Sequence, residues 1–220
     1  MILIPVKNLS SAKQRLAAVL DQSARTELAQ AMLHDVVAAV AGWRGRTPVA
    51  LVTSDSFAID LGEKYAFEVI PDPANPGETG AIEMATRLCV ERGIESTLVI
   101  PADIPLIQAG ELAQIFAHAP DQGSVLVPAA DGRGTNAAFR RPADLFPLRF
   151  GNDSFKPHLA AAQATGKHCQ VLRLPGIALD VDNPADLQAL IAHSGETHTQ
   201  KLIRRWTLDN VLLATGTEGL

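Results

Sequence analysis

Asp103 stands between Pro101 and Pro105 in VIPADIPLI (99–107), at the end of an apolar run. Proline fixes its own φ and restricts the residue before it, so this carboxylate sits on stiff backbone. Asp180 and Asp182 lie two apart in ALDVDNPADL (178–187). In extended backbone, alternate side chains leave by the same face, so the pair would project together. Neighbouring carboxylates repel and raise each other's pKa unless a cation comes between them. An all-oxygen donor set favours Mg²⁺ or Mn²⁺, with phosphate oxygens and water completing the shell. Each acid also has a plainer reading. Asp103 can be a turn residue, and Asp182 can cap a helix opened by Pro184.

Bases cluster at the other end of the chain. PVKNLSSAKQRLA (5–17) places Lys7, Lys13 and Arg15 just after the first apolar run. Lysine supplies a mobile point charge and arginine a planar fork, both suited to phosphate. The small residues Ser10, Ser11 and Ala12 would let backbone N–H groups approach a phosphate. A solvated basic turn is the plainer alternative. The chain contains neither GxxxxGK[ST] nor GxGxxG, so the usual phosphate-loop and dinucleotide fingerprints do not apply.

These groups depend on the elements that carry them. Apolar runs at 2–5, 49–54, 67–72, 97–101, 124–129 and 136–140 read as strands, and 170–182 as further strand material. Helical patterns cover 23–41, 55–65, 80–92, 109–118, 154–165 and 185–193; over the first, Leu28, Met32, Val36 and Val40 recur at helical spacing. Alternation of this kind predicts βαβ units and a mostly parallel sheet. Such a sheet binds ligands at the carboxyl ends of its strands. Asp103 and the segment 5–17 would both lie there. Sheet topology, rather than sequence spacing, must bring Asp103 to Asp180 and Asp182.

The bulk numbers set the outer limits. The chain has 220 residues, 47% hydrophobic, with a net charge of −5. That suits one folded domain over 1–193 and argues against a general nucleic-acid surface. Residues 194–220 read as an extension: KLIRRWTLDNVLL offers one docked helix, and TGTEGL a loose end. No apolar run approaches membrane-spanning length, and the N-terminus lacks the basic region of a secretory signal. Cys89 and Cys169 form neither a disulfide framework nor a CxxC site. A cytoplasmic protein without membrane or nucleic-acid partners is expected. Monomer and homodimer both remain open. The histidines show no zinc spacing, and Trp43 and Trp206 are expected to pack rather than to stack on a base.

Five motifs, IPVKNLSSAKQRL, PADIPL, DGRGTNAAF, FGNDSFKPHL and LDVDNPADL, follow in this order. Together they resemble the small guanylyltransferases of coenzyme F-420 biosynthesis, over residues 1 to about 191. That family acts on 2-phospho-L-lactate, phosphoenolpyruvate or 3-phospho-D-glycerate. The resemblance implies an α/β, single-domain, glycosyltransferase-A-like nucleotidyltransferase fold with a mostly parallel central sheet. It implies Asp103, Asp180 and Asp182 as ligands of Mg²⁺, with Mn²⁺ as a substitute, and Lys7, Lys13 and Arg15 on the nucleotide phosphates. It also implies that Thr135, Gly151 and Ser154 hold the phospho-acid. For Ser154 a physical reason stands beside the resemblance, since it precedes a helix whose first N–H groups would seat an anion.

One segment departs from the family. Where relatives carry a GLNxAI-like stretch for base and ribose, this chain has Pro76-Gly77-Glu78-Thr79-Gly80-Ala81-Ile82. Gly77 and the Ala-Ile pair match; Glu78 and Thr79 do not. Glu78 is then a candidate acceptor for the N1–H and amino group of guanine. The expected reaction transfers GMP from GTP to the phosphate of a small phospho-acid and releases pyrophosphate, with Asp103, Lys13 and Arg15 closest to the chemistry. The alternatives are another nucleotidyltransferase of the fold, of molybdenum-cofactor or sugar-phosphate type, and a domain that binds nucleotide without catalysis. The first usually shows a glycine-rich LxGGxSxRM-like loop after strand one, absent here; the acidic trio argues against the second.

Overall fold

The structure is a computed structural model and describes residues 1–74, 77–151 and 153–208. Seven strands make one sheet: β1 (Ile2–Pro5), β2 (Val49–Val52), β3 (Glu68–Ile70), β4 (Thr97–Val99), β5 (Gly123–Pro128), β6 (Thr135–Arg141) and β7 (His168–Val171). Their spatial order is β3-β2-β1-β4-β6-β5-β7. β1 to β4 pair in parallel, as do β5 and β7, and β6 runs antiparallel between β4 and β5. The helices are α1 (Gln22–Gly42), α2 (Ser56–Lys64), α3 (Glu78–Glu91), α4 (Ala109–Ala117), α5 (Phe155–Ala164), α6 (Pro175–Ala178), α7 (Pro184–Ala192) and α8 (His198–Leu208).

Strand residues alternate between two cores, one on each face of the sheet. Ile2, Ile4, Leu51, Leu98 and Phe139 enter a core shared with Leu33, Val36 and Val37 of α1 and Leu112 and Ile115 of α4. Leu3, Ala50, Val52, Val99 and Ala138 enter the opposite core with Ile82 and Ala85 of α3 and Ala162 of α5. Every residue of β1 is buried, which is why that strand reads as an unbroken apolar run. Burying each of its Leu or Ile side chains contributes roughly 1.5–3 kcal/mol.

Helix α1 serves two cores, because Leu28 and Met32 turn to a third cluster with Ile203 and Trp206 of α8, while Val36 and Val40 face the sheet. Its apolar residues therefore run round most of the helix. Asp35 of α1 fastens α8: its carboxylate accepts from His198 N (2.7 Å), Thr199 N (2.9 Å) and Thr199 Oγ1 (2.6 Å). A carboxylate at a helix start satisfies otherwise unpartnered N–H groups and opposes the positive end of the dipole. Trp43 packs on Phe116, with ring centroids 4.4 Å apart. Residues 209–213 of the expected helix, and the TGTEGL end, lie outside the described residues.

One expected strand is corrected. Residues 170–182 are not continuous strand, because β7 stops at Val171 and α6 intervenes before Asp180. Pro175, at the first position of α6, starts a helix readily and supplies no N–H for a sheet ladder.

Candidate functional site

The antiparallel setting of β6 matters for the site. Val99 at the end of β4 pairs with Ala138, so Thr135 and Asn136 at the start of β6 lie at the carboxyl edge of the parallel strands. A cleft of about 550 Å³ opens along this edge. Lys7, Lys13, Arg15, Glu78, Asp103, Thr135, Gly151, Ser154, Asp180 and Asp182 all line it. Among the candidates with described placement, Gly77 and Thr79 are not in its lining.

Asp103 is held by its neighbours. Ile100 and Ile104 are both 0% exposed, and the Asp103 carbonyl accepts from Val181 N at 3.1 Å. That bond ties the loop after β4 to the segment carrying the other two acids. Val181 is also 0% exposed, whereas Asp180 and Asp182 line the cleft. The alternation expected of a strand thus survives in a segment outside the sheet, because Val181 plugs into the core. Capping of α7 falls to Asn183, whose Oδ1 accepts from Ala185 N and Asp186 N. Asp186 Oδ2 accepts from Asp182 N and Asn183 N. The Asp182 carboxylate is therefore released from helix capping.

Lys13 joins the two ends of the chain. It adopts a left-handed conformation (φ 56°) between two 3₁₀ turns, Leu9–Ser11 and Gln14–Leu16, with Leu9 and Leu16 buried as anchors. Its Nζ donates to Asp103 Oδ2 at 2.6 Å and to Asp182 Oδ1 at 2.8 Å. Arg15 Nη1 stands 3.6 Å from Asp182 Oδ2. Burial works to lower the Lys13 pKa, but the attraction of Asp103 and Asp182 outweighs it and the pKa is raised. Burial also opposes ionisation of Asp182, yet Lys13 and Arg15 hold its carboxyl below the usual range.

Asp180 sits differently. Its Oδ1 accepts from Asn136 Nδ2 at 3.0 Å, and the same amide donates to the carbonyls of Ile177 and Ala178. Burial, helped by Asp103 and Asp182, pushes its carboxyl up to about 6 against that hydrogen bond. Glu78, at the start of α3, is raised to about 7, mainly by burial and next by the charge of Asp103. It belongs electrostatically to the acid cluster. Asp103 and Asp182 present oxygen donors to one shared cation, the kind of set that suits a hard divalent ion. Among the described residues, however, no three acidic, histidine or cysteine groups gather closely enough to hold a metal. The Lys13 ammonium stands between Asp103 and Asp182, and Asp180 is bonded to Asn136.

Three further expectations change. The N–H groups of Ser10, Ser11 and Ala12 are engaged internally, by Asn8 Oδ1, the Asn8 carbonyl and the Leu9 carbonyl. They do not point free toward a phosphate. Ser154 makes no side-chain cap to α5; its Oγ instead accepts from Thr135 N at 3.1 Å. Thr79 Oγ1 accepts from Phe150 N at 3.0 Å, tying α3 to the turn before α5 rather than facing the cleft. In that turn Gly151 takes φ 136°, a conformation that L side chains avoid, in open space where a Cβ would meet nothing. Pro76 and Asn152 lie outside the described residues.

Asn136, Asp186 and His158 were not among the expected functional residues. Asn183-x-x-Asp186 is a readable capping box. Asn136 follows Thr135 in DGRGTNAAF, and a buried amide beside that threonine is a signal for a group that orients an acid. His158 has no local signal. It is 1% exposed, and its ring nitrogens bond Arg149 N (2.8 Å) and Thr135 Oγ1 (2.9 Å).

The sequence profile of the family described as "Guanylyl transferase CofC like" matches residues 1–217. Over 191 residues the chain is 34% identical to phosphoenolpyruvate guanylyltransferase of Sphaerobacter thermophilus, covering 87% of this chain and 92% of that one. It is 31% identical to 2-phospho-L-lactate guanylyltransferase of Methanothermobacter thermautotrophicus, covering 92% and 89%. With 3-phospho-D-glycerate guanylyltransferase of Colwellia psychrerythraea the identity is 32%, covering 91% and 95%. A crystal structure from Desulfovibrio desulfuricans G20, provisionally assigned as a nucleotide-diphospho-sugar transferase, superposes with a TM-score of 0.76 at 18% identity, over 96% of each chain. That likeness establishes the fold. No helix among the described residues is long and apolar enough to cross a membrane.

Proposed function

The chain belongs to the CofC-like guanylyl transferase family, and from that premise we propose that it transfers GMP from GTP to the phosphate of a small phospho-acid. The acid is phosphoenolpyruvate, 2-phospho-L-lactate or 3-phospho-D-glycerate, the product a guanylylated diphosphate of coenzyme F-420 biosynthesis. One observation carries the reading: a single cleft joins the Lys13–Asp103–Asp182 cluster to the hydroxyls of Thr135 and Ser154. Triphosphate and acceptor need that adjacency.

An oxygen of the acceptor phosphate attacks the α-phosphorus of GTP in line. The bond from that phosphorus to the bridging oxygen of the β-phosphate breaks, and pyrophosphate leaves. The attacking phosphate is already ionised at neutral pH, so no protein base is required; positioning and charge neutralisation supply the catalysis. Asp103 and Asp182, which share the Lys13 ammonium, would hold Mg²⁺ or Mn²⁺, and Asp180 would complete the set on leaving Asn136; the ion when bound neutralises phosphate charge at the reacting centre. Lys7 and Arg15, which line the same cleft, would add positive charge for the triphosphate. Lys13 is placed to exchange its carboxylate partners for phosphate oxygens when nucleotide arrives. Thr135, Gly151 and Ser154 seat the acceptor.

The test is direct. The protein is incubated with GTP, Mg²⁺ and each of the three acids in turn, pyrophosphate is measured, and the products are weighed by mass spectrometry. A guanylylated acid from one of them supports the reading; pyrophosphate release from none of them removes it.

A further inference from the structure

Behind the Thr135 end of the cleft lies His158, which does not line it. Its Nε2 accepts the Arg149 backbone N–H at 2.8 Å. A ring nitrogen that accepts from an amide carries no proton, so the neutral imidazole must hold its proton on Nδ1. That proton points at Thr135 Oγ1, 2.9 Å away. The threonine oxygen is thereby an acceptor toward the core, and its own proton is left to point elsewhere. Among the described residues the Thr135 hydroxyl donates in no recorded hydrogen bond, and Thr135 lines the cleft. The same logic holds at Ser154, whose Oγ accepts from Thr135 N, leaving its hydroxyl proton for the cleft. Arg149 N–H, the imidazole and the two hydroxyls are ordered in one direction.

We propose that His158 is a positioning residue that sets the polarity of the acceptor seat, making Thr135 a hydrogen-bond donor toward an anionic oxygen of the substrate. The inference rests on the functional reading above and adds a selection rule. A carboxylate or phosphate oxygen accepts from both hydroxyls, whereas an ammonium group, which has protons and no lone pair, can accept from neither and leaves their protons unpaired. Burial, and then the nearby Arg140 charge, holds the imidazole down to about 4. The ring therefore stays neutral, and the polarity intact, across the range in which the phospho-acid is ionised.

Two conservative variants separate the two ring functions. His158→Asn places an amide N–H near the Nδ1 position and keeps the donor to Thr135. His158→Gln reaches the Nε2 position, keeps an acceptor for Arg149 N–H, and loses that donor. His158→Gln is expected to raise KM for the phospho-acid about tenfold, the scale of one lost hydrogen bond, with KM for GTP within about twofold. His158→Asn should stay within about threefold of the parent on both. In a Thr135→Val background, His158→Gln should cost nothing further. Equal impairment by the two variants, an equal rise in KM for GTP, or additive losses in the Thr135→Val background would overturn the assignment. Independently of turnover, ¹⁵N shifts of the His158 ring in the unmodified protein should report a neutral Nδ1–H tautomer near neutral pH. An Nε2–H tautomer overturns the inference even if every variant misfolds. If the parent uses none of the three acids, the functional reading falls and the seat's assignment with it. If it uses one and His158→Gln leaves that KM unchanged, this inference alone fails.

Discussion

Replacing Lys13 by methionine removes one ammonium from between two carboxylates and leaves the side-chain volume nearly unchanged. The side chain of Lys13 is 8% exposed, and Asp103 and Asp182 lie 2.6 and 2.8 Å from its Nζ. Breaking a fully buried ion pair by deleting one partner costs about 3–5 kcal/mol, because the remaining charge is stranded. Here the carboxylates keep 26% and 40% exposure, so water relieves part of that cost, and about 2 kcal/mol is expected. The sign agrees with the shifted pKa. The Lys13 pKa is raised in the folded protein, so its stabilisation is complete below the unfolded value and is lost only as pH rises through the folded one. Neutral pH lies on the full-strength side. With a urea m-value of roughly 2–3 kcal/mol/M for a chain of this size, the midpoint in EDTA should fall by about 0.7–1 M. Added Mn²⁺ should recover more stability in the variant than in the parent, because the divalent ion then takes the vacated place between the two acids without a competing ammonium. Urea titrations of both proteins, with EDTA and with Mn²⁺, give the answer. A variant as stable as the parent in EDTA, or one that gains no more than the parent from Mn²⁺, would refute the reasoning.

Other perturbations test the remaining groups. Asp103→Ala should lower turnover at saturating GTP by at least about tenfold, some 1.4 kcal/mol, and a smaller loss in steady-state rates would rule it out as a principal metal ligand. The Asp180 carboxyl, raised to about 6, takes up its proton as pH falls through that value and loses the charge a metal needs. Mn²⁺ affinity, followed by electron paramagnetic resonance, should therefore weaken between pH 7 and 5, and Asp180→Asn should flatten that dependence. Glu78→Ala should reduce the preference for GTP over ATP by about tenfold; an unchanged ratio of kcat/KM values would end the guanine reading of Glu78. Since Glu78 also feels Asp103 and Asp182, the same variant takes negative charge from the cluster and should raise the apparent Mg²⁺ requirement in steady-state assays.

Much of the scaffold could be read from local pattern. The alternating strands and helices, the parallel run β1 to β4, and the placement of segments 5–17 and 101–105 at the carboxyl edge follow from apolar periodicity and from the restricted topology of βαβ units. The failures are equally local in origin. Residues 170–182 look like strand because Val171, Leu172 and Leu174 are apolar, yet Pro175 cannot continue a ladder. Ser154 looks like a cap because serine caps helices on average, and here its hydroxyl found a stronger claim in the Thr135 N–H.

What the sequence determined by itself was the chemistry available: carboxylates on stiff or alternating backbone, bases after the first strand, hydroxyls beside glycine turns. What only the tertiary structure decided was their pairing. Lys13 meets Asp103 and Asp182 across 90 and 169 residues of chain, His158 reaches Thr135 across 23, and Asn136 selects Asp180 across 44. Hydrogen bonds and ion pairs act over a few ångströms, and separation along the chain does not fix that distance until the sheet has closed.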